Sequence, residues 1–339
     1  MKKNIIIQPS GLCFTAEPNQ TILQAALAAG IGLPFGCQGG VCGSCKGTIL
    51  QGTVDFGDYQ KTTLSDSEKN AGKALFCCAV PLEDLVIQAR EISEFKEIQI
   101  KKLPCRVESI TQANHDVVIL KLKLPPQESF KFMAGQYINF LLKEGRIRSF
   151  SLANPSHETN LLELHIRLYP TGNFSTFVQN ELKIRAILRF EGPLGSFYLR
   201  EDRNSPIIFM AGATGFAPVK SIIETALHKG LTRPMALYWG ARARRDLYAH
   251  ELALSWVKVS DGMIQYHPVL SSPLPEDNWT GRVGFVHEAI LLDYDSLAQH
   301  EVYACGPPPM VETGFARFTQ ERNLPETSFF ADLFAPASR

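Results

Sequence analysis

The spacing of apolar residues divides the chain into stretches of different rhythm. In the middle, DVVILKLKL (116–124) and LLELHIRLY (161–169) alternate apolar and polar side chains, the period of half-buried strands. QYINFLL (136–142) and AILRF (186–190) are shorter runs of the same kind. Several strands with few helices between them predict a small antiparallel barrel. From Ser205 the rhythm changes. PIIFMAG (206–212), PMALYWG (234–240) and EVYACG (301–306) are apolar runs that each end in glycine. Helical patterns lie between them: APVKSIIETALHKG (217–230) puts Ile222, Ile223, Ala226 and Leu227 on one face, with Gly230 to close it. Strand and helix in alternation predict a parallel, doubly wound sheet, an α/β domain. The N-terminal stretch mixes the two patterns. TILQAALAAG (21–30) groups Ile22, Leu23, Ala26 and Leu27, and SDSE (65–68) reads as a capping box, so this part is α+β.

A length of 339 residues exceeds one ordinary core and suits roughly two to three domains. The expected boundaries are 1–94 for the α+β domain, 95–103 (FKEIQIKKL) for a charged linker, 104–200 for the barrel and 204–339 for the α/β domain. Lys+Arg and Asp+Glu number 34 each, so global charge gives no reason to expect nucleic acid or an anionic membrane as partner. The N-terminal MKKNIIIQPSGL is too short an apolar run for a signal or an anchor. A soluble, cytoplasmic protein without a membrane anchor is expected, and its eight cysteines are then thiols or metal ligands rather than disulfides.

Six of the eight cysteines fall in 1–94, which holds no histidine. Cys37, Cys42 and Cys45 stand in CQGGVCGSC, and Cys77 and Cys78 follow in LFCCAVP. C-x4-C-x2-C with a distant fourth cysteine is the spacing of a plant-type [2Fe–2S] cluster. Four thiolates and two bridging sulfides concentrate negative charge. A loop of Gly36, Gly39, Gly40, Gly43 and Ser44 lets backbone N–H groups turn inward and donate to sulfur. A four-cysteine zinc site pairs two C-x2-C hooks, and only one is present; a Rieske centre needs two histidines. On spacing alone, Cys77 and Cys78 are both candidates for the fourth ligand.

Two further constellations follow. RSFS (148–151) ends a barrel strand, and GNFS (172–175) opens a helix, a ready phosphate site. Together they suit a flavin nucleotide, with Arg148 neutralising phosphate, Phe150 stacking on the ring, and Gly172, Asn173, Phe174 and Ser175 offering amides to the pyrophosphate. MAGATGFAP (210–218) is a strand–turn–helix with glycines at 212 and 215, and CGPPPM (305–310) places a thiol at the carboxyl end of the last glycine-ended strand. Open α/β sheets bind ligands at such strand ends.

A plant-type cysteine loop followed by R-S-F-S, G-N-F-S, G-A-T-G-F-A-P and C-G-P-P-P-M resembles the ferredoxin-NADP reductase superfamily. More narrowly, it resembles single-chain reductases with an N-terminal ferredoxin domain: the reductase components of benzoate dioxygenase, phenol hydroxylase and methane monooxygenase, and the CDP-6-deoxyglucoseen reductases. With the last it shares GFAPVKS, YACG and FF-x-D-x-F-x-P (Phe329–Pro336). The resemblance implies a β-grasp ferredoxin domain, a β-barrel FAD domain and an α/β NAD domain. It assigns the fourth ligand to Cys77, through the C-x-A-x-P pattern of plant-type ferredoxins. It implies that Arg148, Ser149, Phe150 and Ser151 contact FAD, with Ser151 near flavin N5, and that His165, Ile166 and Arg167 supply backbone contacts to the ring. Gly212, Ala213, Thr214 and Gly215 would meet the nicotinamide nucleotide's pyrophosphate. Cys305, Gly306 and Pro307 would line the hydride-transfer site, and Phe334 would cover the flavin. Phe150 stands where tyrosine is commoner, and Ala213 where glycine is.

The expected activity is NAD(P)H-dependent electron transfer: hydride from NADH to FAD, then single electrons to the cluster and on to a soluble partner protein, an oxygenase or a pyridoxamine-phosphate-dependent dehydrase. Arg242, with Arg244 and Arg245 beyond it, would suit a 2′-phosphate and so NADPH, but Asp246 beside them and the resemblance favour NADH. The rival expectations are a self-sufficient diaphorase reducing quinones, ferric chelates or oxygen, and an iron–sulfur binding module with inactive reductase domains.

Overall fold

Alternation in the first strand already decides which way the N-terminal sheet faces. β1 (Lys3–Gln8) buries Ile5 and Ile7 completely and turns Asn4 and Gln8 to solvent. The computed structural model describes residues 1–92 and 98–334, in two units, Met1–Gln99 and Ile100–Arg339. The first unit continues with β2 (Cys13–Ala16), α1 (Ile22–Ala28), β3 (Lys46–Gln51), β4 (Val54–Asp55), α2 (Asp66–Asn70), β5 (Lys73–Leu75), β6 (Val80–Pro81) and β7 (Leu85–Gln88). Its mixed sheet runs β2-β1-β7-β3-β5, with β1 parallel to β7. Thr21 and Gln24 cap α1 reciprocally, and Ser65 and Glu68 cap α2. The start of α1 is tied to the distal cysteine segment: Ile22 N–H donates to Ala79 O and Leu23 N–H to Phe76 O, both at 2.9 Å.

The second unit begins with an antiparallel six-stranded sheet. Its strands are β8 (Lys101–Gln112), β9 (Val117–Lys123), β10 (Tyr137–Leu141), β11 (Ile147–Ser151), β12 (Leu161–Arg167) and, after α3 (Asn173–Asn180), β13 (Ile187–Leu194). The order is β11-β10-β13-β8-β9-β12, and a bridge from Leu152 to Leu164 brings the two edges together into a barrel. Phe130, Phe140, Phe190, Leu120, Leu164 and Ile166 are among the residues filling its interior. The barrel starts earlier than the linker reading allows: Lys101, Lys102 and Leu103 pair with Gly192, Glu191 and Phe190. Pairing with β13 recruits these residues despite their charge. Residues 95–97 of the expected linker lie outside the described residues.

The α/β part comprises β14 (Ile207–Gly212), α4 (Phe216–His228), β15 (Met235–Ala241), α5 (His250–Val259), β16 (Ile264–Leu270), β17 (Arg282–Val283), α6 (Val286–Asp293), β18 (Glu301–Gly306), α7 (Pro308–Glu321) and β19 (Phe329–Leu333). All strands are parallel, in the order β17-β16-β15-β14-β18-β19. Every residue of β14 is buried, as a central strand covered on both faces requires. The chain reverses its direction of winding at β14, which makes the crevice beyond Gly212 the switch point of the sheet. Helix α4 also joins this sheet to the barrel: Ser221 Oγ donates to Asn154 O (2.7 Å) and Lys220 Nζ to Ala153 O (3.2 Å). Ser156 N–H donates to Thr225 Oγ1 (2.9 Å). No helix among the described residues is long and apolar enough to cross a membrane.

Two glycine-scale constraints yield predictions. A Cβ at Gly47 would lie 2.3 Å from the Phe76 ring and 3.2 Å from Gln88 O, so Gly47→Ala is expected to destabilise the first unit by about 1–3 kcal/mol in urea unfolding. Ala213 holds φ +50, a left-handed conformation costing about 1–2 kcal/mol outside glycine. A glycine there also loosens the unfolded chain, an opposing 0.4–1 kcal/mol or so. Ala213→Gly is therefore expected to stabilise the second unit by about 0.5–1 kcal/mol, seen as a raised Tm.

Candidate functional site

The cysteine loop between α1 and β3 presents its backbone to its own sulfurs. The N–H groups of Gly39, Val41 and Cys42 all donate to Cys37 Sγ at 3.4 Å, and Cys37 N–H donates to Cys42 Sγ at 3.4 Å. The Gly40 amide donates to Cys77. Gly40 has φ +70, and a Cβ on it would strike Tyr59 and the Cys78 thiol at 2.7–2.9 Å. The thiols associate as Cys37 with Cys42 and Cys45 with Cys77. A hydrogen bond from Cys42 brings Cys37 down to about 6, and bonds first from Cys45 and then from Cys78 bring Cys77 down to about 3. Cys42 and Cys45, the donors of these bonds, are pushed up. Among the described residues no three metal-binding side chains are grouped so as to hold a metal ion. Two thiol pairs with inward amides fit a two-iron cluster with two protein ligands on each iron, the [2Fe–2S] group, better than a single tetrahedral ion. Cys78 is half-buried with its sulfur 3.5 Å from that of Cys77.

On the barrel, β11 carries Arg148, Ser149, Phe150 and Ser151. Ser149 Oγ donates to Asn139 Oδ1 (2.7 Å), and the Phe150 ring packs against Phe174 (5.0 Å) and Phe140 (5.8 Å). Gly172 precedes α3 with no side-chain cap, so the first amides of that helix, at Asn173, Phe174 and Ser175, face outward. Ser175 Oγ accepts from Tyr169 N–H (2.8 Å) and steadies the turn. An arginine, the exposed Ser149 hydroxyl, an aromatic face and an uncapped helix start fit a flavin nucleotide. Ile166 is wholly buried and pairs with Val118 of β9. Arg167 is held by Asp116 (2.9 Å). The His165 side chain points elsewhere: Nε2 lies 3.0 Å from Glu163 Oε1 and Nδ1 2.8 Å from Tyr248 OH.

At the switch point, strand ends meet without side chains between them. A Cβ on Gly215 would lie 2.1 Å from Cys305 O, and one on Gly212 would strike Met310 and Pro307 at 2.8–2.9 Å. Gly306, φ +143, abuts the Gly212 backbone. Thr214 is buried in this turn, and Trp239 Nε1 donates to Ala213 O (3.0 Å). Cys305 is fully buried; burial first, then the charge of Asp332, pushes its thiol well up, so it stays protonated. Asp332 Oδ2 accepts from Ser151 Oγ (3.3 Å) and lies 4.0 Å from Cys305 Sγ. Ser151 from the barrel and Cys305 from the sheet thus converge on one buried carboxylate. Asp332 is the acidic residue of the FF-x-D-x-F-x-P motif, but the sequence reading gave it no role; its place as the one charged residue of the apolar strand FFADL was a further signal. Phe334 N–H donates to Gly306 O (2.9 Å), which pins the half-buried Phe334 next to this convergence. Pro336, quoted with the terminal motif, lies outside the described residues. Arg242 is exposed just beyond β15, and the neighbouring Asp246 Oδ2 accepts from Ala243 N–H (2.9 Å).

Comparison with known proteins agrees with this geometry. Three families match in succession: "2Fe-2S iron-sulfur cluster binding domain" over residues 5–82, "Oxidoreductase FAD-binding domain" over 104–198 and "Oxidoreductase NAD-binding domain" over 209–314. The CDP-6-deoxy-L-threo-D-glycero-4-hexulose-3-dehydrase reductase of Yersinia pseudotuberculosis is 39% identical, over 99% of this chain and 100% of its own. The phenol 2-monooxygenase reductase component DmpP of Pseudomonas sp. is 35% identical, over 100% of this chain and 96% of its own. The crystal structure of the Amycolatopsis cytochrome P450 reductase GcoB superposes with a TM-score of 0.82 at 32% identity, covering 99% of this chain and 100% of that one. With a cluster domain, a flavin barrel and a nicotinamide-nucleotide sheet in one polypeptide, the chain belongs to the ferredoxin-NADP reductase superfamily, among the reductases with an N-terminal [2Fe–2S] ferredoxin domain, and is an NAD(P)H-dependent flavin iron–sulfur oxidoreductase.

Proposed function

We propose that this protein takes hydride from NADH and delivers single electrons to a soluble partner enzyme, an oxygenase or a nucleotide-sugar dehydrase, in the cytoplasm. The partner classes are those named for its relatives, a dehydrase reductase and a phenol monooxygenase reductase. The observation that carries the reading is the meeting of Ser151, Asp332 and Cys305 where barrel and sheet adjoin. When bound, FAD accepts two electrons at once and releases them singly, which matches a hydride donor to a one-electron cluster.

This chain's residues then supply position and charge. Arg148 and the α3 amides at Gly172–Ser175 hold the flavin's phosphates. Phe150 and Ser149 lie along the nucleotide, and the backbone of His165–Arg167 flanks the ring. Ser151 Oγ, its proton donated to Asp332, would present its lone pairs to the reacting edge of the ring, and the Cys305 thiol adds bulk without adding a second charge beside that carboxylate. The turn Gly212–Gly215 and the Gly306–Pro307 backbone receive the nicotinamide nucleotide, with Arg242 at its far end. Phe334 shields the ring from water. Cys37, Cys42, Cys45 and Cys77 hold the cluster, their charge softened by the loop amides. The domain limits of 1–94 and 204–339 belong to the same reading, with the barrel domain now taken as 101–200.

Anaerobic addition of NADH to the purified protein is expected to bleach the flavin and then the cluster, faster than NADPH does; a faster response to NADPH would overturn the choice of nucleotide. Cys77→Ser is expected to lose cluster absorbance and the reduced-cluster EPR signal while NADH still bleaches the flavin. Retention of a normal cluster in that variant would reassign the fourth ligand to Cys78. Rapid turnover with a soluble quinone, unstimulated by any protein acceptor, would instead make the protein a diaphorase.

A further inference from the structure

A chain of contacts crosses from the barrel to the nucleotide turn through one tyrosine. Glu163 on β12 is half-buried between cations: its Oε1 lies 3.2 Å from Lys220 Nζ and its Oε2 3.3 Å from Lys121 Nζ. Burial works against its charge, but His165, Lys220 and Lys121 together hold its carboxyl at about 2. As a carboxylate it can only accept, so His165 donates from Nε2 and leaves Nδ1 as an acceptor. Tyr248, just before α5, therefore donates its hydroxyl proton to His165 Nδ1 at 2.8 Å. The Tyr248 ring stands edge-on to Trp239 (5.3 Å, 88°) and to Phe216 (5.9 Å, 82°). Trp239 stacks on Phe216 (4.1 Å, 22°), and its indole N–H holds Ala213 O at 3.0 Å. Ala213 is the residue in left-handed conformation at the head of the turn. The Trp239 bond holds this strained backbone from outside the turn.

We propose that Tyr248 is a positioning residue for the nicotinamide nucleotide: through His165 on one side and Trp239 on the other, it sets the register of the Gly212–Gly215 turn against the flavin-bearing barrel. The chain is short, and it is rigid at both ends. Glu163 is fixed by two lysines, one of them on α4, the helix that opens from the same turn. The aromatic stack is closed beneath by Trp256, parallel to Phe216 at 5.5 Å. Removing the hydroxyl keeps the ring but releases it from His165, so that it can shift against Trp239. The inference rests on the reading that this turn receives NADH.

The test compares wild type with Tyr248→Phe as full chains carrying both cofactors. In the absence of nucleotide, amide exchange over residues 212–217 is expected to quicken in the variant. With NADH under anaerobic conditions, half-saturation of flavin reduction is expected to rise roughly two- to tenfold, the effect of one neutral hydrogen bond. The long-wavelength absorbance of nicotinamide lying on flavin is expected to weaken, with FAD content and cluster spectrum unchanged. Trp239→Phe, which keeps a ring but loses the donor to Ala213, is expected to move the same readouts, and the double variant to be no worse than the poorer single one, since both cut one chain. Wild-type exchange and wild-type NADH dependence in Tyr248→Phe would overturn the proposal, as would a fall in Tm or FAD content with NADH half-saturation unchanged, or independent, multiplying effects of the two substitutions. Failure of the wild-type protein to be reduced by NADH would instead defeat the nucleotide reading, while the exchange measurement would still decide whether Tyr248 controls the turn.

Discussion

The second unit depends on a place where two strand ends touch backbone to backbone. Gly215 leaves no room for a side chain against Cys305 O, and Gly306 lies against Gly212. This contact closes the crevice of the sheet from β14 to β18 and determines what can line it. With no side chains in between, the turn packs closely on the end of β18, and the Cys305 thiol is fully buried. The same contact carries β19 alongside β18, register Cys305 to Asp332, and so delivers a carboxylate to the meeting of barrel and sheet. A methyl group at Gly215 would separate these elements before it altered any chemistry.

The ferredoxin unit solves a related problem by the same means. Its loop has to place sulfurs near one another without burying uncompensated charge. Backbone amides from Gly39, Val41 and Cys42 serve Cys37, and the Gly40 amide serves Cys77. Side chains are small because the donors are in the main chain, and the left-handed glycines at 40 and 43 turn those donors inward. In both units the reactive groups are set by regular elements: α1 anchors the Cys77 segment through Ala79 and Phe76, and β11, β18 and β19 carry Ser151, Cys305 and Asp332.

Barrel and sheet are held together by polar side chains rather than by an apolar seam alone. Lys220, Ser221 and Thr225 from α4 bond to the 153–156 segment, and Lys220 also meets Glu163 and Glu224. Buried groups of this kind are costly unless satisfied, and so they favour one arrangement of the two parts over its neighbours. An enzyme that must place a donor ring against an acceptor ring benefits from such directional bonds, because dispersion alone tolerates sliding.

What the sequence by itself determined is whatever local rules encode. Period-two alternation marked β9 and β12, glycine-ended apolar runs marked β14, β15 and β18, and the Ser65 capping box set the start of α2. The cysteine spacing carried the cluster chemistry because three of the thiols stand within nine residues of one another, Cys37 to Cys45. Tertiary structure alone decided which thiols pair, that Lys101–Leu103 join the barrel, that the His165 side chain reaches Tyr248, and that Asp332 reaches Ser151 across 181 positions. These are matters of register between strands and helices far apart in the chain. No local pattern records them, because register is set by how whole elements close-pack, and a shift of one residue would leave every local signal intact while moving each of these groups to the opposite face.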